Sequence, residues 1–368
     1  MNIVFFSPYF GRTGSEVALY NIINHLTDWP GELVVVSGEE GDLLNELPQG
    51  IKRHVRTPRR SYLKLYNKIF KHLTGLDRFL MSVARKYRNY IWYINTIVQP
   101  DVLRHAQLLR IPCILHCHEL EKVFFSLSEE DMCRLIGYPR LIIACSRAVE
   151  ERLRTLGRSS NLEVLYESID VGKIRYSVER SNSLKKELGI DDDTFVWAMA
   201  GTIDPNKNAV LFVDLAHEVA SKGWKVHFLW IGDSRTGYKM FVKNRAEKLG
   251  VKISWVGSRS HDYYDYLNVA DGFVLTSNAD SFPLVMLEAA ALSKPIVAFN
   301  SGGVREFVKP GMGLIVDSWN VNDLVDAMLE VMTGKVKIDK VVLRKQAERF
   351  DVSVQVELWR RTVTRYFS

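Results

Sequence analysis

The sequence predicts an α/β protein of two doubly wound, Rossmann-like domains, each a parallel sheet covered by helices on both faces. Three observations carry that prediction. At 368 residues the chain exceeds what one hydrophobic core usually organises. Short β-branched and aromatic runs alternate with amphipathic stretches, as expected of strands buried on both faces. The pattern then stops in a polar stretch and starts again.

In chain order, the first set of predicted strands covers residues 3–7, 33–37, 90–95, 113–117 and 141–144. The second set covers 195–200, 225–231, 252–256, 272–276 and 295–299. Between them, residues 170–186 are polar without a strong apolar period, which places the linker there. In open sheets of this kind ligands bind beyond the carboxyl ends of the strands, so two such domains are expected to face a central cleft.

Composition narrows the class. Hydrophobic residues make up 47% and charged residues 25% of the chain, the balance of a globular protein and not of a disordered one. The four cysteines, Cys113, Cys117, Cys133 and Cys145, lack framework spacing and read as reduced thiols. Cys113 and Cys117 lie beside His116 and His118, but on a strand the cysteines share one face and the histidines the other, so no metal site is expected. Residues 1–8 offer no basic leader and only a short apolar run, and no segment approaches membrane-spanning length, so neither export nor insertion is expected and a cytoplasmic location follows. The net charge of +6 is uneven: residues 52–90 carry twelve Lys or Arg against the single acid Asp77. Such local basicity argues for a docking surface and against general nucleic-acid affinity.

The strongest chemical signal runs from Asp280 to Glu288, just after the predicted strand at 272–276. Pro283 suits a first helical turn, so the amides of Leu284 and Val285 are expected to point free at a helix start, where they and the dipole favour an anion such as a pyrophosphate. Asp280 precedes the helix and Glu288 lies more than a turn along it. As pure acceptors, the two carboxylates suit a hydroxyl-rich ligand. Taken alone, Asp280 reads as a helix-end acid and Glu288 as a solvated residue. Against that, Glu288 is embedded in Leu287 and Ala289 to Leu292, an apolar run where a carboxylate needs a partner.

This segment, with the following Ser293-Lys294-Pro295 and Gly302-Gly303-Val304-Arg305-Glu306, resembles the retaining glycosyltransferases of family four, which have the GT-B fold. Further matching segments follow the family's order: Gly11 to Glu16, His118-Glu119, Ser146, Gly201 to Lys207 and Ile231-Gly232. The resemblance covers almost the whole chain. It implies an N-terminal acceptor domain over residues 1–172, a C-terminal nucleotide-sugar domain over 173–350, and a final helix at 351–368 that packs back on the first.

The resemblance also implies roles. Glu288 would bind the nucleotide ribose, Asp280 the donor-sugar hydroxyls and Lys207 the pyrophosphate, with His118 beside the transferred sugar; His118, Asp280 and Lys207 are thus the candidate catalytic residues. Gly14, Thr202, Val256, Phe282, Pro283, Leu284 and Val285 would complete the donor site, with Gly14 allowing close backbone approach and Val256 edging the base. The implied partners are a UDP-sugar, glucose first, and a saccharide or lipid-linked acceptor. No cofactor and no metal are implied. Three departures stand out: Asp280 replaces the usual Glu, Thr202 stands where a phosphate-binding Arg is common, and Tyr166-Glu167-Ser168-Ile169-Asp170 replaces an Asn-Gly turn.

On this architecture a sugar-nucleotide epimerase or hydrolase and a non-catalytic binding subunit remain rival readings, since fold does not fix the reaction. His118 also reads as a core histidine, Lys207 as a solvated lysine after a turn, and Gly14 as punctuation before a helix. Finally, Tyr62, Leu65, Tyr66, Ile69, Phe70 and Leu73 keep helical spacing opposite Lys64, Lys68 and Lys71. That predicts a basic amphipathic helix, either packed on the first domain or docked on an anionic membrane surface.

Overall fold

The computed structural model describes residues 1–56, 77–175, 177–234 and 237–368. The basic amphipathic segment at 62–73 lies outside the described residues. The chain divides into two compact units, one formed by residues 1–168 with 352–368 and the other by 169–351.

The first unit holds seven strands, β1 (Ile3–Ser7), β2 (Leu33–Ser37), β3 (Lys52–Val55), β4 (Ile91–Asn95), β5 (Cys113–Cys117), β6 (Leu141–Ala144) and β7 (Leu162–Val164). They pair in parallel in the order β3-β2-β1-β4-β5-β6-β7. The order reverses between β1 and β4, which opens a crevice beyond their carboxyl ends. The central strands β1, β4 and β5 are buried along their whole length, as their continuous apolar runs require. The C-terminal helix Val352–Phe367 belongs to this unit. Its Trp359 ring is fully buried near Phe5, Trp29 and Tyr93, and its indole N–H donates to the Tyr93 hydroxyl at 3.3 Å. An aromatic cluster of this size anchors the helix by apolar area as well as by ring geometry.

The second unit holds six parallel strands, β8 (Phe195–Ala200), β9 (Val226–Ile231), β10 (Ile253–Trp255), β11 (Gly272–Leu275), β12 (Ile296–Phe299) and β13 (Gly313–Val316), ordered β10-β9-β8-β11-β12-β13. Its switch point lies between β8 and β11. The stretch read as a linker contains the helix Val178–Glu187, whose first turn is capped by the Ser177 hydroxyl on the Arg180 amide. Only Ser181 and Leu184 of that helix are buried, so little apolar period marks it. Among the described residues no helix is long and apolar enough to cross a membrane.

Candidate functional site

In the second unit, three segments meet at the carboxyl ends of β8 and β11. Strand β8 ends in Gly201, whose φ of 145° lies outside the usual range of a side-chain-bearing residue. The following loop turns back through Asp204, whose carboxylate accepts from the Lys207 amide at 2.7 Å. It is tied to the loop after β11 by four hydrogen bonds: Asn206 Nδ2 to the Ala279 carbonyl, the Asn278 amide to the Asn206 carbonyl, Asn278 Nδ2 to the Pro205 carbonyl, and Thr276 Oγ1 to the Lys207 carbonyl, all between 2.7 and 2.9 Å. Gly303 braces the same loop from behind. Its amide donates to the Asp280 carbonyl at 3.1 Å, and a Cβ there would stand 2.2 Å from the Ser281 carbonyl oxygen.

This bracing brings Lys207 and Asp280 together. The Lys207 ammonium donates to both Asp280 carboxylate oxygens at 2.8 Å, and both side chains are largely buried. The sequence placed them on separate parts of one ligand. The structure joins them as an ion pair, so a change at one alters the setting of the other.

The helix Leu284–Ala291 starts one residue later than expected. Pro283, with ψ at 119°, is its N-cap and not its first helical residue, and no side chain caps it. The amides of Leu284 and Val285 therefore occupy the first two helical positions, where no intrahelical acceptor exists. Phe282 departs from its expected role, because its ring is buried against Phe307 and Phe350 at centroid distances of 6.3 and 5.3 Å. It anchors the loop and presents no surface to a ligand. Thr202 is exposed at the rim of the β8 loop. Val256 follows β10, its amide bonded to the Trp230 carbonyl at 3.2 Å and its carbonyl accepting from Arg259 Nε at 2.9 Å.

Glu288 finds the partners its setting demanded. The Tyr263 hydroxyl donates to Oε2 at 2.8 Å and the Tyr264 hydroxyl to Oε1 at 3.2 Å. Burial of the carboxyl raises its pKa to about 7, against the lowering by the two tyrosine hydrogen bonds. Glu288 is therefore a carboxylate whose charge turns over near neutral pH.

In the first unit, the helix Gly14–Asn24 follows β1 with Gly14 as its first residue and no side-chain cap. Nothing lies within 4 Å of where a Gly14 Cβ would stand, so this helix start is open. Glu16 in the same turn is buried, and its pKa is raised by that burial; Thr13 Oγ1 donates to its carboxylate.

His118, just beyond β5, is held on both ring nitrogens. Nδ1 faces Glu167 Oε1 at 2.5 Å and Nε2 faces Asn95 Oδ1 at 2.8 Å. The expected catalytic histidine thus has no free nitrogen in this arrangement, because its polar atoms are already satisfied inside the unit. His118, Cys145 and Glu167 offer donor atoms within 4.8 Å of one another. They do not form a metal centre as they stand: two ligands on one tetrahedral zinc are roughly 3.4 Å apart, whereas 2.5 Å is a direct hydrogen bond.

Four residues of these sites were not read from the sequence. Tyr263 and Tyr264 reach Glu288 from a separate helix, Tyr263–Val269, and no local pattern links them. Asn95 ends β4. Glu167 did leave a signal, since it lies in the run that departs from the Asn-Gly turn.

A family model described as glycosyl transferases group 1 matches residues 181–350, and one described as glycosyltransferase family 4 matches residues 12–173. Among characterised relatives, the lipopolysaccharide 1,2-N-acetylglucosaminetransferase of Salmonella typhimurium is 27% identical over 146 residues, 37% of this chain and 38% of the relative. The GDP-mannose-dependent monoacylated alpha-(1-6)-phosphatidylinositol monomannoside mannosyltransferase of Corynebacterium glutamicum is 24% identical over 244 residues, 64% of each chain. The chain thus spans between about two fifths and just under two thirds of these relatives' length. Among solved structures, HepE of Anabaena in complex with UDP and glucose superposes with a TM-score of 0.84 at 21% identity, covering 99% of both chains; HepE has also been solved with UDP-glucose.

Proposed function

The chain belongs to the family 4, group 1 glycosyltransferases of GT-B fold, and from that premise we propose that it transfers a hexose, glucose first, from a UDP-sugar to a saccharide or lipid-linked acceptor in polysaccharide or glycoconjugate synthesis. One arrangement supports the donor side: the largely buried Lys207 cation is held by Asp280 between the loops after β8 and β11, and the helix that follows the second loop opens with an uncapped start and carries the Glu288 carboxylate a turn along. A nucleoside diphosphate sugar offers a matching series of groups, namely a pyrophosphate for Lys207 and the Leu284 and Val285 amides, and a ribose for Glu288. Asp280 both aims Lys207 and accepts from the donor sugar. The bound UDP-glucose of HepE supports a UDP-hexose as the first donor to try.

During transfer the anomeric carbon gains oxocarbenium character while negative charge builds on the departing pyrophosphate. Lys207 and the helix start are oriented for that charge beforehand, which is the form of electrostatic stabilisation that costs no reorganisation. The reaction proceeds with retention by front-face attack, the leaving phosphate taking the acceptor's proton, and no protein nucleophile is assigned. The basic surplus in 52–90 supports a peripheral position on an anionic membrane at its cytoplasmic face.

Because charge neutralisation comes from Lys207 and backbone amides, turnover is expected not to need a divalent ion. Transfer from radiolabelled UDP-glucose to saccharide and lipid-linked acceptors, with UDP release followed in parallel, should be unchanged by EDTA. Activity lost in EDTA and restored by Mn²⁺ or Mg²⁺ would refute this account of the leaving group. UDP release without a glycosylated product would mark a hydrolase instead.

A further inference from the structure

The polar contacts around His118 determine its protonation. Asn95 has a fixed orientation, because its Nδ2 donates to the Ser15 carbonyl at 3.0 Å, an acceptor only. Its Oδ1 therefore faces His118, and Nε2 must carry a proton. On the other side, Nδ1 lies 2.5 Å from a carboxylate oxygen of Glu167, a distance that places one proton between them, and the imidazole, the stronger base of the two, holds it as a second N–H. The other Glu167 oxygen is buried with no hydrogen-bond partner among the described residues. Removing the Nδ1 proton would leave a buried carboxylate without its main counter-charge.

We propose that Glu167 and Asn95 are positioning residues that clamp His118 as a doubly protonated imidazolium, so that His118 serves sugar transfer as a fixed charge and hydrogen-bond donor and never as a proton acceptor. A substrate hydroxyl can displace Asn95 from Nε2–H, but it then receives a hydrogen bond and gives no proton. This rests on the glycosyltransferase reading above for the position of His118 beside the sugar, and not for its charge.

The groups facing His118 agree with this state. Although burial disfavours the charged ring, the Glu167 carboxylate and Cys145 hold it well above the ordinary imidazole range. His116, whose ring centroid lies 4.0 Å away, is kept neutral by its own burial and by His118; its Nδ1 accepts from the Tyr93 hydroxyl, itself acceptor to Trp359. Glu119 accepts from the His118 amide at 2.9 Å, and Glu16 adds a further carboxyl whose charge interacts with His118. Among the described residues, the carboxyl groups of Glu167, Glu119 and Glu16 thus surround the ring and its backbone.

The test is a histidine-selective NMR titration of the full-length wild type, the His118 signal being assigned with a His118→Gln variant. The ring should stay protonated well above the ordinary imidazole range, and Glu167→Gln, which leaves the burial of the ring less opposed, should bring its titration down sharply. At pH 8 the ring of Glu167→Gln should therefore be almost wholly neutral, so most of its kcat should be lost there and should return as the pH is lowered through the ring's new titration. Glu167→Asp, which keeps the charge, should retain most of the wild-type profile. Wild-type titration near 6.5 would overturn the proposal without recourse to any variant. An unchanged kcat profile in a Glu167→Gln protein whose His118 has lost its raised titration would overturn the assigned role of the charge. If the imidazolium is found but no sugar is transferred by the wild type, the clamp stands and the glycosyltransferase reading fails.

Discussion

Replacing Lys207 by Met is expected to lower turnover of a UDP-sugar by about two to three orders of magnitude, the usual loss when one preorganised group is removed from a developing negative charge. The structure sharpens the reason. Lys207 is not a mobile surface cation: Asp280 holds it by two 2.8 Å hydrogen bonds, and Asp204 and Thr276 fix its backbone on either side. A cation with this little freedom loses little entropy on meeting a phosphate. Its removal also strands Asp280, a largely buried carboxylate, which should oppose binding of an anionic donor. Lys207→Arg should recover only part of the rate, because a planar fork does not reproduce a point donor. Asp280→Asn should lower kcat while leaving UDP affinity equal or slightly greater, since it frees Lys207 for phosphate. Steady-state kinetics with calorimetry of UDP on all three variants checks these outcomes. Turnover of Lys207→Met within a few-fold of wild type would remove Lys207 from the leaving group.

The second large effect is at Glu288. Glu288→Gln should weaken UDP and UDP-sugar alike by about 1.5 to 3 kcal/mol, or one to two decades, through loss of a charge-assisted hydrogen bond to ribose. The raised pKa of about 7 adds a signature. The ionised form is the better acceptor, so the affinity for UDP-glucose, whose diphosphate has no ionisation in this range, should rise as pH increases through 7 and level off above, whereas the Gln variant should be flat. Stability runs the other way. The folded state keeps the Glu288 proton that the unfolded chain releases near its model value of 4.5, so this group's stabilisation is full below that value and is lost as pH rises toward 7. Tyr263→Phe removes a hydrogen bond to the carboxylate and should move the midpoint of the affinity curve upward. Calorimetric UDP-glucose titrations between pH 5.5 and pH 8.5 would read both features, and a pH-independent wild type would contradict the assignment of Glu288 to the ribose.

The parts of the fold legible from sequence are those where burial acts on every residue. Strands β1, β2, β4, β5 and β6 are short unbroken apolar runs, and all are buried throughout. The strands that escaped notice sit at sheet edges: β3 is Lys52-Arg53-His54-Val55, β7 has three residues and β13 is half-buried. Edge strands need not be apolar, so composition does not announce them. The helix Val178–Glu187 was hidden for the same reason, being polar on most of its surface.

The site shows a similar division. Its chain order and residue types were readable from Gly201 to Lys207 and from Asp280 to Glu288, because turn and helix-start chemistry is local. The ion pair between Lys207 and Asp280 bridges 73 residues, and the contact of His118 with Glu167 bridges 49. Such pairs depend on which strand ends the sheet order brings near one another. Phe282 illustrates the limit in the other direction: it sits in the middle of the motif, yet its ring turns into the core toward Phe307 and Phe350.

The central claim, that the β8–β11 switch point holds a nucleotide-sugar, is tested most directly by thermal shift of the purified chain against a panel of nucleotide-sugars, UDP, GDP, ATP and NAD. A ligand at a hundred times its Kd stabilises the folded state by about 2.7 kcal/mol. UDP-glucose and UDP should raise the melting temperature, and Glu288→Gln should reduce that rise at the same ligand concentration. A panel in which ATP or NAD raises the melting temperature and no nucleotide-sugar does would contradict the account.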